Sequence, residues 1–128
     1  MSNKISDIIG RTVFNVDQTE DEIYMIFSDG SLGRFYHDAR DAAEVNIDDV
    51  NGDWADLIGH PLLVADERIS ESDTRHGSET WTFYTFRGIG GSVDVKWHGE
   101  SDGYYSESVE FKLTEYDEIK RTIESLDS

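Results

Sequence analysis

The chain has 128 residues, a length that predicts one compact domain spanning residues 1–128 and argues against several. Twenty-eight acidic residues stand against eleven basic ones and give a formal net charge of −17, which disfavours direct binding to nucleic-acid phosphates or to anionic membrane surfaces. The absence of cysteine excludes disulfides, iron–sulfur clusters and cysteine-ligated zinc.

The first predicted elements are strands. Residues 12–17 and 22–28 are rich in β-branched and aromatic side chains, and the polar stretch between them suits a hairpin loop. Asp29-Gly30 lies between residues 22–28 and 31–36 and predicts a second hairpin with a tight primed turn, because glycine adopts positive φ without penalty. We therefore expect a strand meander in this part of the chain.

The middle of the chain is less regular. Residues 44–47 predict a short strand, and apolar side chains three and four residues apart in residues 53–58 predict one short helical turn. Residues 62–69 predict a further strand. The polar segment 70–79 is typical of an exposed loop.

The last third has the clearest pattern. Strands are predicted over residues 80–87, 92–98 and 104–113, and in the second of these apolar and polar side chains alternate. Thr114 is predicted to cap a C-terminal helix of about residues 115–126. We therefore expect a single α+β domain with a mainly antiparallel β-sheet of about seven strands, a short internal helix and a C-terminal helix.

No pattern for metal binding or catalysis is complete. Asp49, Asn51 and Asp53 match three positions of an EF-hand-type calcium loop, but Trp54 stands where that loop needs glycine, and His60 where it needs glutamate. The histidines lack the spacing of a zinc hydrolase, and neither a nucleophile elbow nor a phosphate-binding glycine loop occurs. We expect no enzyme activity, no metal and no cofactor.

Glu107 interrupts an apolar pattern. In a regular strand it shares a face with Tyr105 and Phe111, where a carboxylate must be paired, hydrogen-bonded or protonated. One interpretation is a ligand-binding acid in an aromatic pocket. The other interpretations are a structural ion pair with Arg34 or Arg87, or a bulge that turns the side chain outward.

Acidic residues are concentrated between positions 37 and 73, where eleven carboxylates stand against two arginines. Crowded carboxylates repel one another, so their concentration opposes folding unless something else selects for it. One explanation is a basic partner that accepts carboxylates in place of nucleic-acid phosphates, and the other is general solubility, for instance in a high-salt cytosol. The residues expected to form a partner-binding acidic face are Asp38, Asp41, Glu44, Asp48, Asp49, Asp53 and Asp56.

Four segments carry motifs that point to a protein family. They are residues 80–84 (TWTFY), 96–109 (KWHGESDGYYSESV), 52–63 (GDWADLIGHPLL) and 35–37 (FYH). These motifs resemble a family of small phage and prophage proteins of unknown function, and the resemblance covers most of residues 10–113. Relatives carry two cysteines where this chain has Ala42 and Ala43, so a thiol or metal role of that turn in relatives cannot operate here.

The resemblance and the charge together imply a phage-type accessory protein. We expect it to inhibit a host defence or nucleic-acid-handling factor, as an anti-CRISPR protein does, by binding a basic surface with an acidic face that mimics nucleic acid. The expected partner is a basic host protein, and the expected location is the host-cell cytoplasm. No contact with a membrane or with nucleic acid itself is expected, and self-association is left open.

The alternative function is a small-molecule binding protein that sequesters a nucleotide-type defence signal in an aromatic pocket. The residues of that pocket would be Trp81, Tyr84, Trp97, Tyr104, Tyr105 and Glu107. A hydrolase that uses Glu107 and His98 is the weakest hypothesis, because no activated nucleophile or metal set accompanies them.

Overall fold

Eight strands in two antiparallel sheets make up most of the fold, in a computed structural model that describes residues 4–38, 40 and 42–126. The first sheet contains, in spatial order, β1 (Val13–Gln18), β2 (Glu22–Phe27), β3 (Leu32–Tyr36) and β8 (Glu110–Thr114). The second sheet contains, in spatial order, β4 (Glu44–Asn51), β7 (Gly91–Ser101), β6 (Gly77–Gly88) and β5 (Val64–Thr74). The predicted α+β class with mainly antiparallel strands is confirmed, with eight strands rather than about seven.

In the described part of the chain, three helical segments accompany the sheets: 3-10 turns at Ile5–Ile8 and Trp54–Asp56, and the C-terminal helix α1 (Tyr116–Leu126). The second 3-10 turn corresponds to the predicted internal helix. Asp53 caps it, because its carboxylate accepts a hydrogen bond of 3.0 Å from the backbone N–H of Ala55. Within the described ranges, none of these helical segments has the length and apolar character needed to cross a membrane.

The two sheets pack face to face around aromatic side chains. Phe35 of β3 meets Tyr84 and Phe86 of β6 edge to face, with ring centroids 5.1 and 5.5 Å apart. Alternate residues of β6 and β7 are buried because each strand directs every second side chain toward the first sheet. Trp97 of β7 is fully buried in this core. The remaining side chains of these strands lie on the outer face of the second sheet.

The hairpin between β2 and β3 is confirmed, but the predicted primed turn is wrong. Only Gly30 has positive φ there (+86°), whereas a primed turn also needs positive φ at Asp29. The carbonyl of Phe27 accepts from Gly30 N–H at 2.9 Å, and Phe27 N–H donates to the Ser31 carbonyl at 3.0 Å. The Asp29 carboxylate accepts from Ser31 N–H at 2.9 Å, which stabilises this wider turn.

The loop predicted over residues 70–79 is wrong. These residues belong to the long β5–β6 hairpin, whose strands pair from Val64 with Arg87 to Thr74 with Gly77. The exposure predicted for the segment is observed over residues 70–76. Both faces of β5 contact water beyond Ala65, so its sequence lacks the apolar alternation that identifies a half-buried strand.

The strand predicted over residues 104–113 is wrong in its first half. β7 ends at Ser101 in the second sheet, whereas β8 pairs with β3 in the first sheet. The chain must cross from one sheet to the other, so residues 102–109 form an irregular connection instead of a continuous strand.

The predicted cap of the C-terminal helix is also wrong. Thr114 is the last residue of β8, where it pairs with Leu32. Glu115 precedes α1 instead, and its carbonyl accepts hydrogen bonds from the N–H groups of Glu118 and Ile119 at 3.1 and 3.2 Å. The extent of the helix agrees with the predicted residues 115–126 to within one residue.

Candidate functional site

The outer face of the second sheet collects acidic side chains from all four of its strands. On the edge strand β4, Glu44 lies opposite Glu100 of β7, and Asp49 lies opposite Lys96. A register shift just before Asp49 leaves the Asp48 carboxylate on this side, 3.9 Å from the Lys96 ammonium. Three of the predicted acids are therefore brought together on the exposed side of one edge strand.

We call this surface the acidic sheet face. Its carboxylates, assigned by strand register and, for Asp48, by the ion pair with Lys96, are those of Glu44, Asp48, Asp49, Asp66, Glu79, Asp94 and Glu100. Three cationic side chains, Arg68, Arg87 and Lys96, lie on the same side of the sheet. Counted over the described residues, the face therefore carries seven carboxylates against three cations, an excess of four negative charges.

Aromatic side chains occupy the centre of the acidic sheet face. The Lys96 ammonium lies 4.4 Å from the ring centroid of Trp81, and the Arg68 guanidinium lies 5.7 Å from that of Phe83. The His98 ring packs on Trp81 with a centroid distance of 4.3 Å. Two of the three cations on this face are thus held over aromatic rings.

Three of the other predicted acids lie outside the eight strands. Asp38 follows β3 and accepts a hydrogen bond of 2.6 Å from Arg40, and the hydrogen bonds from Arg40 lower the pKa of Asp38 to about 2. Asp41 lies outside the described residues. Asp53 and Asp56 are exposed at the second 3-10 turn, which follows the end of β4. Of the six predicted acids that the structure describes, three therefore lie on β4 and three lie in the segments that follow β3 and β4.

Glu107 lies in the connection from β7 to β8, and only 7% of its surface is exposed. The hydroxyls of Ser78 and Thr80 donate to its carboxylate at 2.6 and 2.8 Å, and that of Ser101 donates to it as well. Burial alone would raise the pKa of Glu107, but the hydrogen bonds from these three hydroxyls outweigh it, and the pKa lies below its usual value. Glu107 is therefore held as a buried carboxylate.

The two structural alternatives considered for Glu107 are wrong. Arg34 pairs with Glu22 on the first sheet, and Arg87 lies on the acidic sheet face. The side chain of Glu107 points inward, so no bulge turns it toward water. Hydroxyl donors can satisfy an inward carboxylate without a cation, because each contributes a charge-assisted hydrogen bond.

Gly99 of β7 permits the close approach of the Glu107 connection. A Cβ at Gly99 would lie 2.8 Å from the backbone oxygen of Glu107 and 3.0 Å from its Cβ. Ser78 and Thr80 are two residues apart on β6, so their side chains share the inner side of the sheet. Because Gly99 has no side chain and alternate side chains of β6 point inward, the Glu107 carboxylate can reach the hydroxyls of Ser78 and Thr80.

An open cleft of about 460 Å³ lies beside Glu107, where β5 and β6 extend beyond the core. Its lining is mostly polar and comprises Ile69, Glu71, Ser72, Asp73, Ser78, Glu79, Thr80, Thr82, Tyr105, Ser106, Glu107 and Ser108. No lysine or arginine is among these described lining residues. The cleft therefore has a negative electrostatic character.

The aromatic residues predicted to form a pocket are not brought together. Trp97 and Tyr84 have no exposed surface and belong to the core. Burial, with the Glu67 carboxylate nearby, raises the pKa of Tyr84 above its usual range. Trp81 lies on the acidic sheet face, on the opposite side of the second sheet from Tyr84.

The last two predicted aromatic residues lie in the irregular connection. Tyr104 is 88% exposed, and Tyr105 lines the cleft together with Glu107. The predictions missed Glu71 and Asp73, which line the same cleft from β5. The available signal was that Glu71 and Asp73 stand two residues apart, so that in a strand they share one side. That signal can be used only if residues 70–79 are recognised as part of a hairpin.

Fold and surfaces define an acidic antiparallel β protein of two packed sheets with a long, partly uncovered hairpin. A family model described as a domain of unknown function, DUF7448, matches residues 6–111. That match covers most of the chain, and the protein belongs to this family. A search of curated proteins and a search of solved structures each returned no match.

Proposed function

We propose that this protein is a phage-type accessory protein that inhibits a host defence or nucleic-acid-handling factor in the host cytoplasm, as anti-CRISPR proteins do. Inhibition would occur by binding, without catalysis, when the acidic sheet face covers a basic surface that otherwise contacts nucleic acid. The single observation that carries the proposal is the excess of carboxylates on this exposed face.

The spacing of the carboxylates on the acidic sheet face limits how many nucleic-acid phosphates they can replace. Along the axis of roughly 25 Å that β4 shares with its neighbour β7, the carboxylates of both strands counted together occur about once per 5 Å, given a rise of about 3.3 Å per residue. One strand of duplex DNA carries about one charge per 3.4 Å of helix axis. The face is sparser than DNA and suits a partner surface that contacts a few phosphates. The carboxylates counted are those of Glu44, Asp48, Asp49, Asp94 and Glu100.

The aromatic centre of the face supports protein binding. Trp81 and Phe83 are partly exposed and are surrounded by polar and charged side chains. Protein interfaces commonly combine a desolvated aromatic centre with a polar rim. A basic partner could replace Lys96 over the Trp81 ring with a cation of its own, since that site already holds an ammonium 4.4 Å from the ring centroid.

The alternative, sequestration of a nucleotide-type signal, has no support in the described geometry. The expected stacking residues Trp97 and Tyr84 are fully buried, and the cleft beside Glu107 is lined by carboxylates. Carboxylates in that position repel phosphate groups. Native mass spectrometry of protein purified from infected cells would detect a retained nucleotide, and such a finding would favour the alternative.

The proposal is tested by capturing host proteins at low salt with two charge-matched triple variants. The first variant carries Glu44→Gln, Asp49→Asn and Glu100→Gln on the acidic sheet face. The second carries Asp17→Asn, Glu118→Gln and Glu124→Gln, which are exposed on β1 and α1. Both lose three negative charges, so general electrostatic effects are equal.

We expect the wild-type protein and the second variant to retain a basic nucleic-acid-binding protein that duplex DNA displaces. The first variant should retain roughly tenfold less of it. Equal capture by the two variants, or capture that duplex DNA does not reduce, would contradict the proposal.

A further inference from the structure

Strand β5 forms an open edge of the second sheet. It pairs with β6 over its whole length without a register shift, and no described strand pairs with its other side. Hydrogen bonds of Leu62 with Gly10 and Arg11, at 2.8 and 3.0 Å, cover the chain just before β5 begins. The 3-10 turn at Ile5–Ile8 also contacts β5, but residues 66–74 are exposed, so their outward backbone groups are available to another strand.

The side chains of β5 alternate between the acidic sheet face and the cleft. Its register with β6 places Ile69 beside Thr82, Glu71 beside Thr80, and Asp73 beside Ser78. These β6 residues line the cleft that contains Glu107. A strand added next to β5 would therefore direct every second side chain toward the cleft.

The charge of β5 selects the kind of strand that can be added. The strand contains Asp66, Glu67, Glu71 and Asp73 and one base, Arg68. A second copy of β5 would place like charges opposite one another, which is destabilising. Neither Glu71 nor Asp73 has an ion-pair partner among the described residues, so cations from a partner could approach them.

The Glu107 carboxylate has limited capacity left. A carboxylate offers about four acceptor positions, and three are used by the hydroxyls of Ser78, Thr80 and Ser101. The Glu107 carboxylate can therefore accept one further N–H donor. Glu71 and Asp73, which line the same cleft, can accept hydrogen bonds from the other N–H groups of a guanidinium. This distribution suits the branched donor group of arginine better than a single ammonium.

We propose that β5 and the adjoining cleft bind an extended basic segment of a partner protein, which adds to the second sheet as a fifth strand and places an arginine side chain in the cleft. Main-chain hydrogen bonds to β5 would supply affinity, and the acidic cleft would supply selectivity for the basic side chain. This proposal goes beyond the function proposed above, because β5 is the edge opposite β4 in the second sheet. Either proposal can fail while the other stands.

The test uses a fluorescent synthetic peptide that alternates arginine with valine, with binding measured by anisotropy at low salt. Two further peptides have the same sequence and charge, but each carries N-methyl groups on one of the two alternate sets of backbone amides. An extended strand directs these two sets to opposite edges, so only one set can face β5.

We expect the parent peptide to bind and one of the two methylated peptides to lose about tenfold or more in affinity. Two methylated peptides that bind like the parent would show charge attraction alone and overturn the proposal. Loss of binding by both would also overturn it, since a single edge uses one set of amides.

A variant pair locates the binding site. Glu71→Gln with Asp73→Asn should weaken the parent peptide roughly tenfold, because two exposed carboxylates at the cleft are removed. The triple variant of the acidic sheet face should bind it as the wild type does. If the triple variant loses binding and the Glu71 and Asp73 variant keeps it, the peptide uses the acidic sheet face and the β5 proposal is wrong.

Discussion

The hydroxyl of Thr80 donates a 2.8 Å hydrogen bond to the carboxylate of Glu107, and this bond joins β6 to the connection that crosses from the second sheet to the first. Ser78 on the same strand and Ser101 at the end of β7 donate to the same carboxylate. A single buried charge thus holds three chain segments together, and the shape of the neighbouring cleft depends on it.

Replacing Glu107 with glutamine should destabilise the fold. The substitution removes the charge that strengthens three hydroxyl hydrogen bonds, and it places an amide donor opposite at least one hydroxyl donor. We expect Glu107→Gln to reduce the free energy of unfolding by about 1–3 kcal/mol, measured by urea denaturation. Glu118→Gln on exposed α1 should change it by less than about 0.5 kcal/mol. A Glu107→Gln protein as stable as the control would show that the hydroxyl cluster contributes nothing.

The stabilisation by Glu107 should depend on pH in a defined direction. Its pKa in the folded protein lies below the ordinary value of 4.5, so the carboxylate stabilises the fold above that value. The contribution is lost as the pH falls through the lowered pKa. The difference in unfolding free energy between wild type and Glu107→Gln should therefore be constant near neutral pH and shrink below about pH 4.5.

Comparing these two proteins separates Glu107 from the other acids. Repulsion among the other carboxylates affects the free energy of unfolding of the wild type and of Glu107→Gln equally. The same is true of Asp29 and Glu22, whose pKa values are also lowered in the folded protein. A stability difference that stays constant or grows toward acid pH would contradict the assignment of Glu107 as a carboxylate stabilised in the fold.

Gly99 should be intolerant of a side chain. A methyl group there would lie 2.8 Å from the Glu107 carbonyl oxygen and would push the connection away from β7. We expect Gly99→Ala to lower the free energy of unfolding by about 1–3 kcal/mol, as overpacked sites do. Ser92→Ala, at an exposed position of the same strand β7, is the matched control. Equal unfolding midpoints for these two variants would contradict the close contact.

Several elements of the fold could be predicted because their side chains have one buried and one wet side. β7 is the clearest case, since Val93, Val95 and Trp97 are buried while Asp94 and Lys96 face outward. The first hairpins were recognisable by β-branched and aromatic runs for the same reason. The type of turn at Asp29 could not be predicted, because it depends on a hydrogen bond from Ser31 N–H to the Asp29 carboxylate that composition does not reveal.

The elements that could not be predicted depend on tertiary arrangement. The β5–β6 hairpin extends beyond the core, so water contacts both sides of residues 70–76 and the segment has the composition of a loop. The burial of Glu107 was expected from a regular strand that does not exist. Its actual donors, Ser78, Thr80 and Ser101, come from two other strands and are brought together only by the fold.

The same limit applies to the candidate sites. Glu44, Asp48 and Asp49 lie together because they are close in sequence on one edge strand, which is local information. The partners that complete the acidic sheet face, Asp94 and Glu100 among them, come from neighbouring strands whose order the sequence pattern does not define. The sequence does not distinguish a ligand pocket from a core for Trp97, because an aromatic residue in a strand has the same pattern whether it fills a core or lines a site.

Electrostatic attraction between the acidic sheet face and a basic partner is the central claim, and the rate of association measures it most directly. Once a partner has been captured, its association rate constant should be determined from low to physiological ionic strength for the wild type and for the two charge-matched triple variants. For the wild type and for the variant on β1 and α1, the association rate constant should be on the order of tenfold lower at physiological ionic strength than at low ionic strength. The acidic-sheet-face variant should start slower and respond less to salt. Rates that are independent of salt, or equal for the two variants, would contradict the claim.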